Sequence, residues 1–278
     1  MKVKKIFLLI NIIVIVVVLL NGCNNSVNEK ETSQDNVSIS NTKQNKSNKN
    51  IFRVPLPMDL YVFLNENKVA YKAGLLNSYN KVGEYYSTIE KSINLGIYSS
   101  DLAYSSVYKD NQNINKYFVV CKKLADGLEL SEGFDKSTLI RIDKNINNPD
   151  SLFEIANDAY WNVFLSLEEQ GKSEIVSCVV YGAWLESIYI SINSINKFDI
   201  NNEVTQRIME QQLVLENIMN YVNEGNSENT KTKSIIINEL KDIGEIYIKI
   251  INDGELASEN DFNKLKQTIN EIRNKWIK

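Results

Sequence analysis

Beyond residue 50, apolar positions recur at three- and four-residue spacing, the period of a helix face. Pro57 opens a first helix through Met58, Leu60, Tyr61 and Leu64. A second is expected from Asn80 to the residue before Gly96, with others over 97–109, 114–128 and 137–146. Asn148-Pro149 is a strong start signal, an N-cap followed by proline at the first helical position. The helix behind it carries Leu152, Ala156, Ala159, Val163 and Leu167 on one face and stops at Gly171. Helices over 172–196, 202–223, 234–252 and 259–276 complete the set. Only Ile235-Ile236-Ile237 and residues 246–251 are β-branched enough to compete for strand. No repeat near 34 residues is present. The pattern predicts an all-α domain over residues 51–278, an irregular array or bundle of about nine to ten helices with or without two subdomains.

One predicted helix departs from amphipathicity. Between residues 175 and 192 the only charge is Glu186, and apolar side chains stand on every face. Such a helix belongs at the centre of the fold. Its length also fits a membrane span, but Ser177, Tyr181, Glu186, Ser187 and Ser191 argue against one.

The chain opens with Lys2, Lys4 and Lys5, followed by an apolar run over 6–20 broken only by Asn11. A basic start and 15 mostly aliphatic residues read as a secretory signal, too short for the ~20 residues of a spanning helix. Leu20-Asn21-Gly22-Cys23 follows directly and resembles the lipobox of bacterial lipoproteins, with Asn21 standing where Ala or Ser is usual. The resemblance implies diacylglycerol on Cys23, cleavage after Gly22 and acylation of the new amine, with palmitate-type chains. Two or three acyl chains, at about 0.8 kcal/mol per buried methylene, anchor stably. The alternative is an uncleaved signal anchor. Asn24 follows the cysteine in place of a retention aspartate, so an outer membrane is the expected destination in a Gram-negative cell. In a Gram-positive cell the same anchor faces outward from the single membrane.

Residues 24–50 change composition abruptly: eight of these 27 are Asn, and only Val27, Val37 and Ile39 are aliphatic. This stretch buries too little apolar surface to offset ordering entropy and is expected to be a disordered tether of roughly 30 Å reach. The expected organisation is a signal peptide over 1–22, lipidated Cys23 and tether over 23–50, and a helical domain over 51–278.

Composition then narrows the chemistry. With no histidine in 278 residues, Ser-His-Asp and Cys-His triads, His-ligated zinc or haem, and Glu-x-x-His iron sites are excluded. A net charge of −4, or −7 once three signal lysines are removed, gives no basic face for nucleic acid. No Walker A, Gly-x-Gly-x-x-Gly or Gly-x-Ser-x-Gly motif occurs, and no cofactor is expected. With Cys23 consumed, Cys121 and Cys178 sit in apolar helical context and read as buried free thiols rather than a bridge.

Two carboxylates stand out. Asp101 shares a face with Ile97, Ser100, Tyr104, Val107 and Tyr108, and Glu186 with Val179, Gly182, Ala183 and Ile190. A carboxylate on such a face is costly unless bonded or paired. Each reads either as structural or as half of an acid–base or cation site, with Tyr104 or Tyr108 as proton donor. Asp143, Asn145, Asn147, Ser151 and Glu154 match the oxygen positions of an EF-hand loop, but Asn148 and Asp150 break the pattern at its glycine and aliphatic positions. The Pro149 helix start explains the same residues without metal.

The stretches Pro55-Leu56-Pro57, Leu75-Leu76-Asn77, the run over 95–104, Lys123-Leu124-Ala125 and Gly182-Ala183-Trp184-Leu185-Glu186 resemble helical domains of secreted bacterial lipoproteins of uncharacterised activity. The resemblance implies an all-α fold and carries no functional residue. Together these readings lead to a membrane-anchored helical module of the cell envelope that binds a protein or small ligand. The alternative is an enzyme using Asp101 and Glu186.

Overall fold

The segment that is apolar on every side forms the axis of the fold. A computed structural model describes residues 57–130, 136–145, 148–224, 230–252 and 257–277, all within one unit, Asn50–Lys278. The signal-like segment, Cys23 and the tether lie outside the described residues. The described residues hold ten α-helices and no strand. In chain order these are α1 (Pro57–Glu66), α2 (Thr88–Val107), α3 (Asn111–Asp126), α4 (Lys136–Asn145) and α5 (Pro149–Glu169). They continue with α6 (Ser173–Ser194), α7 (Glu203–Met209), α8 (Gln212–Glu224), α9 (Thr230–Asn252) and α10 (Glu259–Trp276). The all-α array is as expected.

Every helix except α3 and α4 packs substantially on α6, and α2 does so most extensively. On composition α6 is long and apolar enough to cross a membrane, yet 89% of that apolar stretch is buried by its neighbours. α3 covers α2, α5 closes over both central helices, α4 packs on α5, and α9 packs against α8 and α10.

Two glycines set the distance between α2 and α6. A Cβ on Gly96 would lie 2.1 Å from the Val179 carbonyl oxygen, and one on Gly182 would lie 2.1 Å from that of Ile93. Both obstacles are backbone, so neither can swing aside. This corrects the expected helix end before Gly96. α2 runs through it, because the glycine serves close packing and not termination. The true start is Ser87, which forms a capping box with Glu90, while Asn80 lies in the short 3₁₀ turn Tyr79–Glu84.

The expected helix over 202–223 is two helices. The Ile208 carbonyl accepts from the Tyr247 hydroxyl at 3.0 Å and from Gln211 N–H at 3.2 Å, which diverts the ladder between α7 and α8. The β-branched runs near 235 and 246 both lie inside α9, where tertiary burial of Ile236, Ile243 and Ile246 overrides strand propensity. At the end of α5, Gly171 takes φ +68° and Lys172 N–H reaches back to the Leu167 carbonyl, as its place behind the helix implied.

Gly182→Ala and Gly96→Ala should each cost about 3 kcal/mol or more, because backbone must part from backbone. Gly83→Ala, where an added Cβ meets nothing within 4 Å, should change stability by less than about 1 kcal/mol. Urea denaturation of the three variants checks the contrast.

Candidate functional site

The glycine contact brings the two singled-out carboxylates to the same place. Asp101 lies just over a turn beyond Gly96 on α2, and Glu186 just over a turn beyond Gly182 on α6. The third member comes from α10, whose buried face carries Phe262, Leu265, Ile269, Ile272 and Arg273. Arg273 Nε and Nη2 donate to Glu186 Oε2 and Oε1, both at 2.8 Å, a bidentate pair. The same guanidinium lies over the Tyr189 ring, 4.1 Å from its centre. Asp101 and Glu186 are 0% exposed and Arg273 5%, so the cluster is sealed. Burial works against the guanidinium charge, but the Glu186 carboxylate outweighs it and holds the Arg273 pKa above its ordinary value.

Among the described residues no cation forms an ion pair with Asp101, the one at hand being engaged by Glu186. Burial first, and then the neighbouring Glu186, push its pKa well above the usual carboxylate range. Arg273 and the Asn77 N–H, which donates to Asp101 Oδ2 at 3.1 Å, pull the other way without restoring it. Beside the pair, the Tyr61 hydroxyl meets Ser100 Oγ at 2.6 Å, and burial pushes that phenol upward too.

Tyr104 and Tyr108 do not serve the carboxylates. The Tyr104 hydroxyl accepts from Lys72 N–H at 3.0 Å, and that of Tyr108 donates to the Val69 carbonyl at 2.8 Å. Both hydroxyls hold the loop between α1 and α2, and the Tyr108 hydrogen is spent on that loop. Tyr61 is one of the phenols that feel both carboxylates, with Tyr117 and Tyr189, and its place in the first helix marked it only as core.

Arg273 escaped the sequence reading. Its signal was a charge in register with Phe262, Leu265 and Ile269 on an otherwise apolar stripe, the same tension that exposed Glu186. A second buried acid, Glu239 of α9, was also missed. It accepts from the Tyr181 hydroxyl at 2.5 Å and from Trp276 Nε1 at 2.9 Å.

Of the calcium-like residues, those described are held by other contacts or exposed. Asn145 lies in α4 and donates to the Arg141 carbonyl at 2.7 Å, Asn148 caps α5 by accepting from Ser151 N–H, and Glu154 is exposed. The side chains of Asp143 and Asn147 lie outside the described residues. Among the described residues no cluster of three metal-ligating acids or cysteines occurs. Cys121 and Cys178 are both free and buried, and burial pushes each thiol up to about 12.

No family model, curated protein or solved structure matches this chain. The geometry alone therefore carries the functional reading. It consists of two acids and one guanidinium that lie together, closed off from solvent.

Removing one partner of a buried ion pair strands the other. Arg273→Met should cost about 3–5 kcal/mol by leaving Glu186 uncompensated beside Asp101. The double variant Glu186→Leu with Arg273→Met should recover most of that loss. A double-mutant cycle in urea measures the coupling, and strictly additive single costs would contradict the pairing.

Proposed function

We propose that this protein is a lipid-anchored, non-catalytic helical module of the cell envelope, acting by binding a protein or small ligand with its outer surface. The observation that carries the non-catalytic half is the sealing of Asp101, Glu186 and Arg273. The site residues named for chemistry are spent on holding three helices together. What supports the anchored half is the run over 6–20 followed by Leu20-Asn21-Gly22-Cys23, and the Asn-rich stretch behind it. A tether of that composition gives the folded domain freedom to meet partners some tens of ångströms from the bilayer. A partner would find exposed apolar side chains such as Tyr86, Leu165 and Leu213 on the outside, where single contacts can be built.

Metabolic labelling with a fatty-acid analogue tests the anchor. Wild type should carry label and fractionate with membranes. Cys23→Ala should carry none and retain its first 22 residues. Equal label on both proteins would end the lipoprotein reading.

A further inference from the structure

Residues 67–86, between α1 and α2, form a strap across the carboxylate cluster. Neither of its 3₁₀ turns, Ala73–Leu75 and Tyr79–Glu84, contains a buried residue. Within the strap only Asn77 and Tyr85 are buried. Side chains of α2 and α3 grip its backbone. Besides the Tyr104 and Tyr108 bonds, the Tyr98 hydroxyl donates to the Ser78 carbonyl at 2.7 Å and that of Tyr117 to the Asn77 carbonyl at 2.8 Å. Asn77 N–H sits on Asp101, so the middle of the strap is fastened directly to the charged cluster.

Asp101 Oδ1 meets no N–H or hydroxyl donor among the described residues. The side chain paired with the Asp101 carboxyl is that of Glu186. Two carboxyl oxygens attract only when one of them carries hydrogen, and the single guanidinium present is already engaged bidentately by Glu186. We propose that Asp101 keeps a proton that it donates to Glu186, and that loss of this proton at alkaline pH releases the strap while the helical core stays closed.

The other groups around Asp101 leave the proton to it. They are Glu186 and Tyr189 of α6, Arg273 of α10, Tyr61 of α1, Tyr98 of α2, and Tyr117 and Cys121 of α3, with Tyr85 of the strap bonded to Tyr98. Burial raises the phenols Tyr61, Tyr98, Tyr117 and Tyr189 and lifts the Cys121 thiol to about 12, so none of these deprotonates near neutrality. A second negative charge in the sealed cluster must be relieved by water. The α2–α6 contact cannot part easily, because backbone interlocks there at Gly96 and Gly182. The strap, with two buried residues, is the element that yields. The sign follows from proton linkage. The closed strap holds the proton more tightly than the open one. Its stability is therefore complete below the ordinary aspartate pKa of ~3.9 and is lost as pH rises through the raised value.

Hydrogen exchange of the full chain in detergent, followed by mass spectrometry from about pH 5 to about pH 9, reads the opening, with intrinsic exchange chemistry divided out. In wild type the strap's opening should rise about tenfold per pH unit relative to α6, the slope of one released proton. Asp101→Asn mimics the protonated acid, accepting from Asn77 and donating to Glu186, and should leave the strap closed and flat with pH. A wild-type strap indifferent to pH would overturn the proposal, as would an equal slope in Asp101→Asn or simultaneous opening of strap and α6. If Asp101→Asn does not fold, the wild-type pH series still decides. So does the infrared C=O band of a protonated carboxylic acid, whose absence at neutral pH would equally refute it.

Discussion

The contact between the backbones of α2 and α6 is the constraint on which the remainder of the molecule depends. Gly96 and Gly182 remove the Cβ atoms that would otherwise separate the helices. That closeness has two results. It puts α6 beyond the reach of water, which makes any charge on it expensive, and it brings Asp101 and Glu186 into the same sealed space. Moving the helices apart by the width of a methyl group would loosen both results together.

The charge carried by α6 then dictates where α10 must go. A buried Glu186 needs a cation with matching geometry, and Arg273 supplies a planar fork that reaches both oxygens. Lysine would offer one point of charge and no stacking over Tyr189. α10 is fixed elsewhere as well, since the Trp276 carbonyl accepts from Asn94 Nδ2 at 3.0 Å and the Trp276 indole donates to Glu239. α2, α6, α9 and α10 are thus tied by polar contacts inside an otherwise apolar core, which fixes their register more narrowly than aliphatic packing alone.

Helix content was legible because it rests on local signals. Asn148-Pro149 and Gly171 framed α5 correctly, and the apolar girth of 175–192 marked the central helix. Two errors came from reading a tertiary feature as a local one. Gly96 has the composition of a stop and the function of a close contact, and the split between α7 and α8 depends on Tyr247, which is 39 residues from the carbonyl it captures. The carboxylates were visible as misplaced charge, whereas their meeting was not. Sequence distance says nothing of which faces turn together, and Arg273 stood in a helix whose other charges are mostly exposed. The role of the strap was invisible altogether, since five of its bonds are made by its backbone and leave no mark on its residue types.

The Glu186–Arg273 bond spans 87 residues, and the bond from Asn94 to Trp276 spans 182. A growing chain therefore reaches α6 long before it can neutralise it. Until α10 is available, Glu186 keeps its water, and the central helix that bears it cannot be sealed. The core is closed by the last of the described helices, so the central helix is sealed only after α10 has been made. Contacts of such long range also make the closing step slow compared with the formation of the helices themselves. The delay before sealing is set by the order in which one acid and one base leave the ribosome.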